Sequence, residues 1–234
     1  NQDTVTHLIS HALPVTAQLA IGAFVLWMLI GIGTGLVAAV NAGSWPDRLL
    51  TGLALVGYSL PVFFIGLLML VFIVIRWHLL PYPHYSSVSQ DPVGWMQTML
   101  LPWIALAIVF AAFYTRLVRS EVLSALNSDY IRTARAVGVP QRVVVRKHAL
   151  RAGLAPVVTA AGMDLAGVLG GAVITEAVFN LPGLGRLAVS SVVEYDLPVI
   201  TAVTLVAAAF VIVANLVVDI LYAAIDPRVR LAES

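Results

Sequence analysis

The chain has no cysteine, a single lysine and few charged side chains. Only 11% of its 234 residues are Asp, Glu, Lys or Arg, whereas about a quarter is usual in soluble domains. Without cysteine, the chain can form neither disulfides nor thiolate metal sites. Its one lysine, Lys147, stands between Arg146 and His148, so the chain has no Gly-x-x-x-x-Gly-Lys loop for the phosphates of ATP.

Two motifs of common enzymes are absent as well. The sequence contains neither His-Glu-x-x-His, typical of zinc proteases, nor Gly-x-Ser-x-Gly, typical of hydrolases. His78 and His84 are separated by two prolines, a spacing that favours no metal geometry. We therefore predict a chain that is not an enzyme, with no catalytic residue, no metal site and no cofactor of its own.

Apolar residues, by contrast, make up 60% of the chain, and the mean hydropathy is +0.96. A helix of about 20 apolar residues crosses a hydrocarbon core of about 30 Å. Five runs are long enough, and they lie at residues 13–40, 49–75, 98–118, 154–175 and 199–225. We predict an all-α integral membrane protein, a polytopic helical bundle in which residues 1–234 form one transmembrane domain.

The basic residues are unevenly distributed along the chain. Eleven of the thirteen lie after the first run, around a loop at residues 119–153, or in the C-terminal tail. Because Lys and Arg favour the cytoplasmic side, we predict that this loop and the C-terminus are cytoplasmic in a protein of the plasma or inner membrane. Five spans then place the N-terminus outside, so we expect a further span before this chain.

The loop holds the one dense polar stretch of the sequence, residues 128–151. Ser128 and Asp129 are suitable N-caps for a short helix, and Gly138 can adopt the left-handed conformation that ends it. Pro140 suits the first turn of a second short helix that runs to about Arg151. A basic amphipathic helix beside a span is most often explained by topology and anionic lipid. The helix, turn and helix pattern favours a protein partner instead.

Three positions inside the predicted spans are candidates for a pathway. Pro61 should kink the second span, which suits either a moving segment or a static bend. Asp164 lies in the middle of the fourth span, where a charge is costly and usually faces a cavity or a partner. Asn215 lies one turn before Asp219 in the last span. Glycine pairs in the first and fourth spans predict close helix packing, and they are Gly31 with Gly35 and Gly167 with Gly171.

Several segments together resemble the permeases of binding-protein-dependent ABC importers, and the dipeptide/oligopeptide branch most of all. Residues 129–138 (DYIRTARAVG) and 146–151 (RKHALR) are similar to the EAA-type loop of that family. The other matching segments are 44–50 (SWPDRLL), 59–61 (SLP), 176–185 (EAVFNLPGLG), 215–222 (NLVVDILY) and 226–228 (DPR). The loop has Thr133-Ala134-Arg135 where the wider superfamily often has Glu-Ala-Ala, a departure that is usual in the peptide branch.

The resemblance implies a non-catalytic permease subunit that moves a peptide or a related small solute delivered by an extracytoplasmic binding protein. Its partners would be a second homologous permease, two ATPase subunits that bind ATP and Mg²⁺, and the binding protein. The family usually has six spans, so this chain would supply the last five. Residues 129–139 would form a coupling helix seated on an ATPase subunit. The implied coupling residues are Asp129, Tyr130, Arg132, Thr133, Ala134, Arg135, Gly138 and Val139.

The resemblance also implies that an external loop of the chain, residues 179–186, contacts the binding protein. The residues assigned to that contact are Phe179, Pro182, Gly183, Leu184 and Arg186. Two other classes of function remain open. An ion-coupled secondary transporter would use Asp164 as a relay, and a non-transporting membrane scaffold would use the basic loop to recruit a protein or lipid. Peptide, glutathione, nickel and haem cargoes are all compatible with this branch.

Overall fold

The computed structural model of the chain describes residues 4–169 and 172–225, without the side chains of residues 214, 218, 219 and 221–225. Nine helices and no strands occupy the described part, so the predicted all-α fold is confirmed. The helices are α1 (Val5–Val40), α2 (Trp45–Ser59), α3 (Val62–Arg76), α4 (Pro92–Leu126), α5 (Asp129–Ala136), α6 (Gln141–Leu169), α7 (Val173–Val178), α8 (Leu184–Val193) and α9 (Leu197–Ile225).

Four of these helices, α1, α4, α6 and α9, are long and apolar enough to cross a membrane. A fifth crossing results if α2 and α3 count as one broken span. The two helices are bent by 96° at their junction, which is far more than the kink that the sequence predicts. Pro61 explains the break, since it has no N–H to donate and its ring disfavours a helical conformation at Leu60.

The predicted loop at residues 119–153 is mostly helical. Helix α4 continues to Leu126 because Val118, Val122 and Leu126, one turn apart, are all buried. The second short helix is not a separate element, since α6 starts at Gln141 and continues through a π-helical turn, Val144–Ala149, to Leu169. The prediction that it ends near Arg151 is therefore wrong. Residues 127–128 and 137–140 alone lie outside helices in this loop.

The chain divides into two compact units. One unit comprises Asn1–Leu26, Leu60–Ala107 and Met163–Asn215. In it, Phe179 is buried after α7 and its ring meets Gly66 of α3, where an added Cβ would lie 3.0 Å from the ring. A second apolar group joins the start of α1 to α8 and α9 through Ala12, Leu184 and Val199. The start of α8 is thus packed on its apolar side.

The other unit comprises Trp27–Ser59, Ile108–Gly162 and Leu216–Ser234. Gly31 and Gly35 bring α1 against α4, since a Cβ at either position would lie within 2.7 Å of Tyr114, Thr115 or Val118 atoms. This pair forms the predicted packing face. An added Cβ at Gly167 would meet nothing within 4 Å among the residues that the structure describes, so the predicted packing contact is not seen there, and Gly171 lies outside the described residues.

Candidate functional site

The short helix α5 presents most of its surface to solvent. Ile131 is its one fully buried side chain, and Ala134 is half-buried. The other predicted coupling residues of the helix are exposed, and they are Asp129, Tyr130, Arg132, Thr133 and Arg135. Tyr130 is 48% exposed although it is a large aromatic side chain. An exposed ring among arginines is the composition that protein interfaces favour.

Both ends of α5 are set by local geometry. Ser128 occupies the N-cap position with an extended backbone, as predicted, but its hydroxyl donates to the carbonyl of Ala125 rather than to an amide of α5. At the other end, Gly138 has φ +85°, the left-handed conformation predicted for it. Pro140 then directly precedes α6 and its carbonyl accepts from the amides of Val143 and Val144. These links hold α5 between α4 and α6.

Helix α5 is anchored on one side. Its buried side chain is Ile131, and the helix packs against the π-helical turn of α6, where Val144, Val145 and Ala149 are also buried. The connection from α4 is two residues long and the connection to α6 is four residues long. Short connections therefore join α5 to both long helices.

The polar groups of α5 leave its outer surface available. Arg132 approaches Asp129 at 3.4 Å with both side chains largely exposed, an ion pair that contributes little to stability. Arg135 donates through Nε to Oε1 of Gln141 at 3.2 Å, which ties the end of α5 to the start of α6. Val139 is half-buried and Gly138 is exposed. A partner that meets this surface would find two guanidinium groups and an aromatic ring.

The three predicted pathway residues occupy different helices. Pro61 is exposed at the break between α2 and α3, Asp164 is half-buried in α6, and Asn215 is exposed in α9. All three belong to the unit that contains α7 and α8. Asp219, whose side chain lies outside the described residues, cannot be placed beside Asn215. A pathway role for these residues remains a prediction.

The segment from α7 to α8 is organised by a buried acid, Glu176. Its Oε1 accepts a hydrogen bond of 2.7 Å from the hydroxyl of Thr16, and its Oε2 accepts one of 3.0 Å from the amide of Arg186. The Thr16 hydroxyl in turn accepts from the amide of Leu184 at 2.8 Å. We call these four residues the Glu176 cluster. It ties α1, α7 and α8 together.

The environment of Glu176 has two opposing effects on its protonation. Burial raises the pKa of its carboxyl above the ordinary value, because the charged form loses its hydration. The hydrogen bonds from Thr16 and from the amides of Arg186 and Gly185 act in the other direction, and their effect is smaller. The carboxyl faces the N-terminus of α8, where amides are without helical partners. The acid thus satisfies donors that would otherwise be buried without an acceptor.

The predicted binding-protein contact is only partly at the surface. Phe179, Gly183 and Leu184 are buried, whereas Pro182 and Arg186 are exposed. Gly183 lies so close to the Glu176 carboxylate that an added Cβ would be 2.3–2.5 Å from its atoms. The surface that this loop can offer to a partner is therefore reduced to Pro182, Arg186 and their exposed neighbours. The contact itself remains a prediction.

A second buried acid, Asp47, was not singled out from the sequence. Arg119 of α4 donates to it twice, from Nε to Oδ1 at 2.5 Å and from Nη2 to Oδ2 at 2.7 Å. The amide of Gly43 also donates to Oδ2 at 2.8 Å. The sequence places Asp47 between the first two predicted spans and Arg119 at the start of the predicted loop. Their pairing over 72 residues has no local signal.

These features define a multi-pass helical membrane protein with a short, exposed helix held between two long ones. Residues 31–231 match the model of a protein family, the binding-protein-dependent transport system inner membrane component. The chain belongs to this family. It is a transmembrane permease subunit of an ABC importer, as the sequence predicted.

Known relatives agree with this assignment. A probable peptide ABC transporter permease of Sinorhizobium fredii is 36% identical over 97% of this chain and 72% of its own length. A putative peptide transport system permease of Brucella abortus is 38% identical over the same shares. The dipeptide transport system permease DppB of Escherichia coli is 35% identical over 92% of this chain and 70% of its own length.

Solved structures show the same fold at low sequence identity. A chain of the MetNI methionine ABC transporter, in an inward-facing conformation, superimposes with a TM-score of 0.75 at 20% identity over 94% of this chain and 97% of that one. A chain of an amino acid ABC transporter gives a TM-score of 0.66 at 17% identity over 95% and 94% of the two chains. The chain therefore shares its helical fold with chains of these two ABC transporters.

Proposed function

We propose that this permease moves peptides, or a related small solute, from an extracytoplasmic binding protein into the cell, with energy from ATP hydrolysis in partner subunits. It acts without catalytic residues or a bound cofactor. A second, homologous permease completes the pathway, and two ATPase subunits bind the ATP and Mg²⁺. The names of the relatives support the class of solute, since the Sinorhizobium and Brucella relatives are named for peptides and the Escherichia coli relative for dipeptides.

The observation that carries the proposal is the exposed surface of α5. An ATPase subunit has no reason to contact the apolar surface of a span, whereas α5 offers Tyr130, Arg132 and Arg135 on a helix with a single buried anchor, Ile131. Interfaces that must form and change during a cycle are commonly polar with a few aromatic anchors. Helix α5 is the coupling helix in this proposal.

The anchoring of α5 supports its role in transmitting force. Helix α5, in which Ile131 is buried, packs against the π-helical turn of α6, and two residues connect α5 to α4. When the ATPase subunits close on ATP, a push on α5 would therefore move the ends of α4 and α6 together. Pathway opening to the outside follows from that movement in an alternating-access cycle, and ATP hydrolysis resets it. Under this proposal α5 and the C-terminus are cytoplasmic.

The test compares two double charge reversals in the full-length chain, purified from its own membranes in mild detergent. Arg132→Glu with Arg135→Glu changes the outer surface of α5. Arg142→Glu with Arg146→Glu makes the same change in charge at exposed positions of α6. We expect the wild type and the α6 variant to recover an ATPase and a second permease, and the α5 variant to lose the ATPase while it keeps its thermal stability.

Three results would contradict the proposal. Equal recovery of the ATPase by both variants would show that α5 is not the docking surface. Recovery of the wild-type chain alone, with solute uptake that depends on an ion gradient and is lost in Asp164→Asn, would establish a secondary transporter instead. Recovery of partners without any uptake in reconstituted vesicles would indicate a scaffold.

A further inference from the structure

A cavity of about 320 Å³ opens between the first turns of α1 and the start of α8. Leu8 and Leu187 contribute apolar surface to it. The polar side chains that line it are His7, His11 and Arg186, together with Ser190. None of the described residues that line the cavity is acidic. The opening therefore combines an apolar wall with donors and no carboxylate.

Arg186 gives this cavity a permanent positive charge. Its Nη1 donates to Oδ1 of Asn180, which orients the guanidinium group. A guanidinium has five N–H donors, so this bond engages only a part of them. Its planar, forked shape matches the two oxygens of a carboxylate. Across the cavity, the Nε2 atoms of His7 and His11 are 3.2 Å apart.

The Arg186 side of the cavity is prepared before any ligand arrives. The backbone amide of Arg186 is held by Glu176, and the amide of Leu184 is held by Thr16. Gly183 lines the cavity and also lies against the Glu176 carboxylate. A partner that binds here would consequently lose little free energy to the ordering of the loop.

We propose that this cavity receives an acidic side chain, Asp or Glu, from the extracytoplasmic binding protein. Complementary charge is the reason, since the cavity offers one guanidinium, two imidazoles and a hydroxyl to an inserted carboxylate. A volume near 320 Å³ is at the lower end for ligand pockets, which suits one inserted side chain with its neighbours. The inference rests on the proposed function, because it assumes a permease that receives solute from such a protein.

The location along the chain agrees with an extracytoplasmic site. Helix α6 is long enough to cross the membrane and it separates α5 from α7 and α8. If α5 is cytoplasmic, the start of α8 lies on the other side of the membrane. The predicted contact residues Pro182 and Arg186 both line the cavity. The cavity thus defines where, within the predicted contact, the partner would insert.

The experiment uses the complete assembly in nanodiscs of neutral lipid. The probe is the binding protein that stimulates ATP hydrolysis by the wild-type assembly, and its affinity is measured by surface plasmon resonance. Arg186→Glu should weaken binding about tenfold or more, because close charge pairs at interfaces commonly contribute that much. Arg186→Lys should retain part of the affinity. The matched control is Arg76→Glu, which makes the same charge change at an exposed position of α3 in the same unit.

A photoreactive amino acid at position 190 then identifies the partner residue. A crosslink to an Asp or Glu of the binding protein would identify the inserted residue. If changing that acid to Arg restores the affinity for the Arg186→Glu variant, the contact is established. Equal affinities for the wild type, Arg186→Glu and Arg76→Glu would overturn the inference while leaving the permease function intact. An Arg186→Glu effect that appears only in nanodiscs with anionic lipid would also overturn it, in favour of a lipid headgroup. Absence of any stimulating binding protein would count against the proposed function itself.

Discussion

The hydroxyl of Thr16 donates a hydrogen bond of 2.7 Å to the carboxylate of Glu176, and both side chains are fully buried. They lie 160 positions apart in the chain. Because the same hydroxyl accepts from the amide of Leu184, it connects α1 to the start of α8 as well as to α7. An acid buried in this way stabilises the fold only as long as all its donors keep their geometry.

Replacing Glu176 should therefore destabilise the chain. Glu176→Ala leaves the Thr16 hydroxyl and the Arg186 amide without their acceptor and removes buried volume, at a cost of about 3 kcal/mol. Glu176→Gln keeps the volume and one acceptor, so about 1–2 kcal/mol is expected. Thermal unfolding in detergent measures both. Glu194→Gln, an exposed acid after α8, should leave the midpoint unchanged. A stable Glu176→Ala variant would show that the cluster is dispensable for folding.

The stability of the chain should also depend on pH through Glu176. Burial raises the pKa of this carboxyl in the folded chain, so the folded chain binds its proton more tightly than the unfolded chain does. The resulting stabilisation is complete below the ordinary carboxyl pKa and is lost as pH rises through the raised pKa. We expect the difference in melting temperature between wild type and Glu176→Gln to be larger at about pH 5 than at about pH 8. A difference independent of pH would contradict this assignment.

Gly183→Ala should destabilise the same cluster by a steric route. The new Cβ would lie 2.3–2.5 Å from carboxylate atoms of Glu176, and the hydrogen bonds of that carboxylate resist its displacement. A cost of about 1–3 kcal/mol is expected for such overpacking. Gly52→Ala, where the added Cβ meets open space, is the control. If the clash is the cause, Gly183→Ala and Glu176→Ala together should cost less than the sum of the two single changes.

The helical fold could be predicted from the sequence because long apolar runs allow few other structures in a membrane. The left-handed Gly138 and the short α5 were also predicted, since capping and turn signals act over a few residues. The end of α4 at Leu126 and the continuation of α6 beyond Arg151 were not, because this part of the chain carries charges, a property that does not by itself end a helix. There the burial of Val118, Val122 and Leu126 decided the outcome.

The internal contacts of the site could not be predicted from one sequence. Glu176 belongs to a segment that resembles the family, but the resemblance gives it no role, and no motif in the sequence marks Thr16. Their contact depends on how α1 meets α7, which is a property of tertiary packing. The same applies to Phe179, Gly183 and Leu184, which were assigned to a partner surface and are buried. A loop rich in Pro and Gly indicates a turn but not which of its side chains face inward.

Gly138→Val should weaken the coupling between ATP hydrolysis and transport. Gly138 has φ +85°, a conformation that a β-branched residue avoids at a cost of about 1–3 kcal/mol. Nothing lies within 4 Å of an added Cβ, so the effect would come from the backbone alone. Gly138→Asn is the matched control, because Asn tolerates the left-handed region. We expect fewer solute molecules transported per ATP in the Val variant and near-normal coupling in the Asn variant; normal coupling in both would contradict a role for this turn.

The ion pair between Asp47 and Arg119 should be stabilising and strongly non-additive. Asp47 is buried and receives two hydrogen bonds from the guanidinium of Arg119, whose side chain is 29% exposed. Asp47→Ala leaves that cation without its partner. Arg119→Ala leaves the buried carboxylate of Asp47 without a cation, although the backbone amide of Gly43 still donates to it. Each change should cost about 2–4 kcal/mol, below the largest values for buried pairs because Arg119 is partly exposed to solvent. The double variant should lose much less than the sum, since no unpaired charge remains. Thermal unfolding of the four proteins in detergent gives the coupling energy, and strictly additive costs would show that the pair contributes nothing beyond its separate side chains.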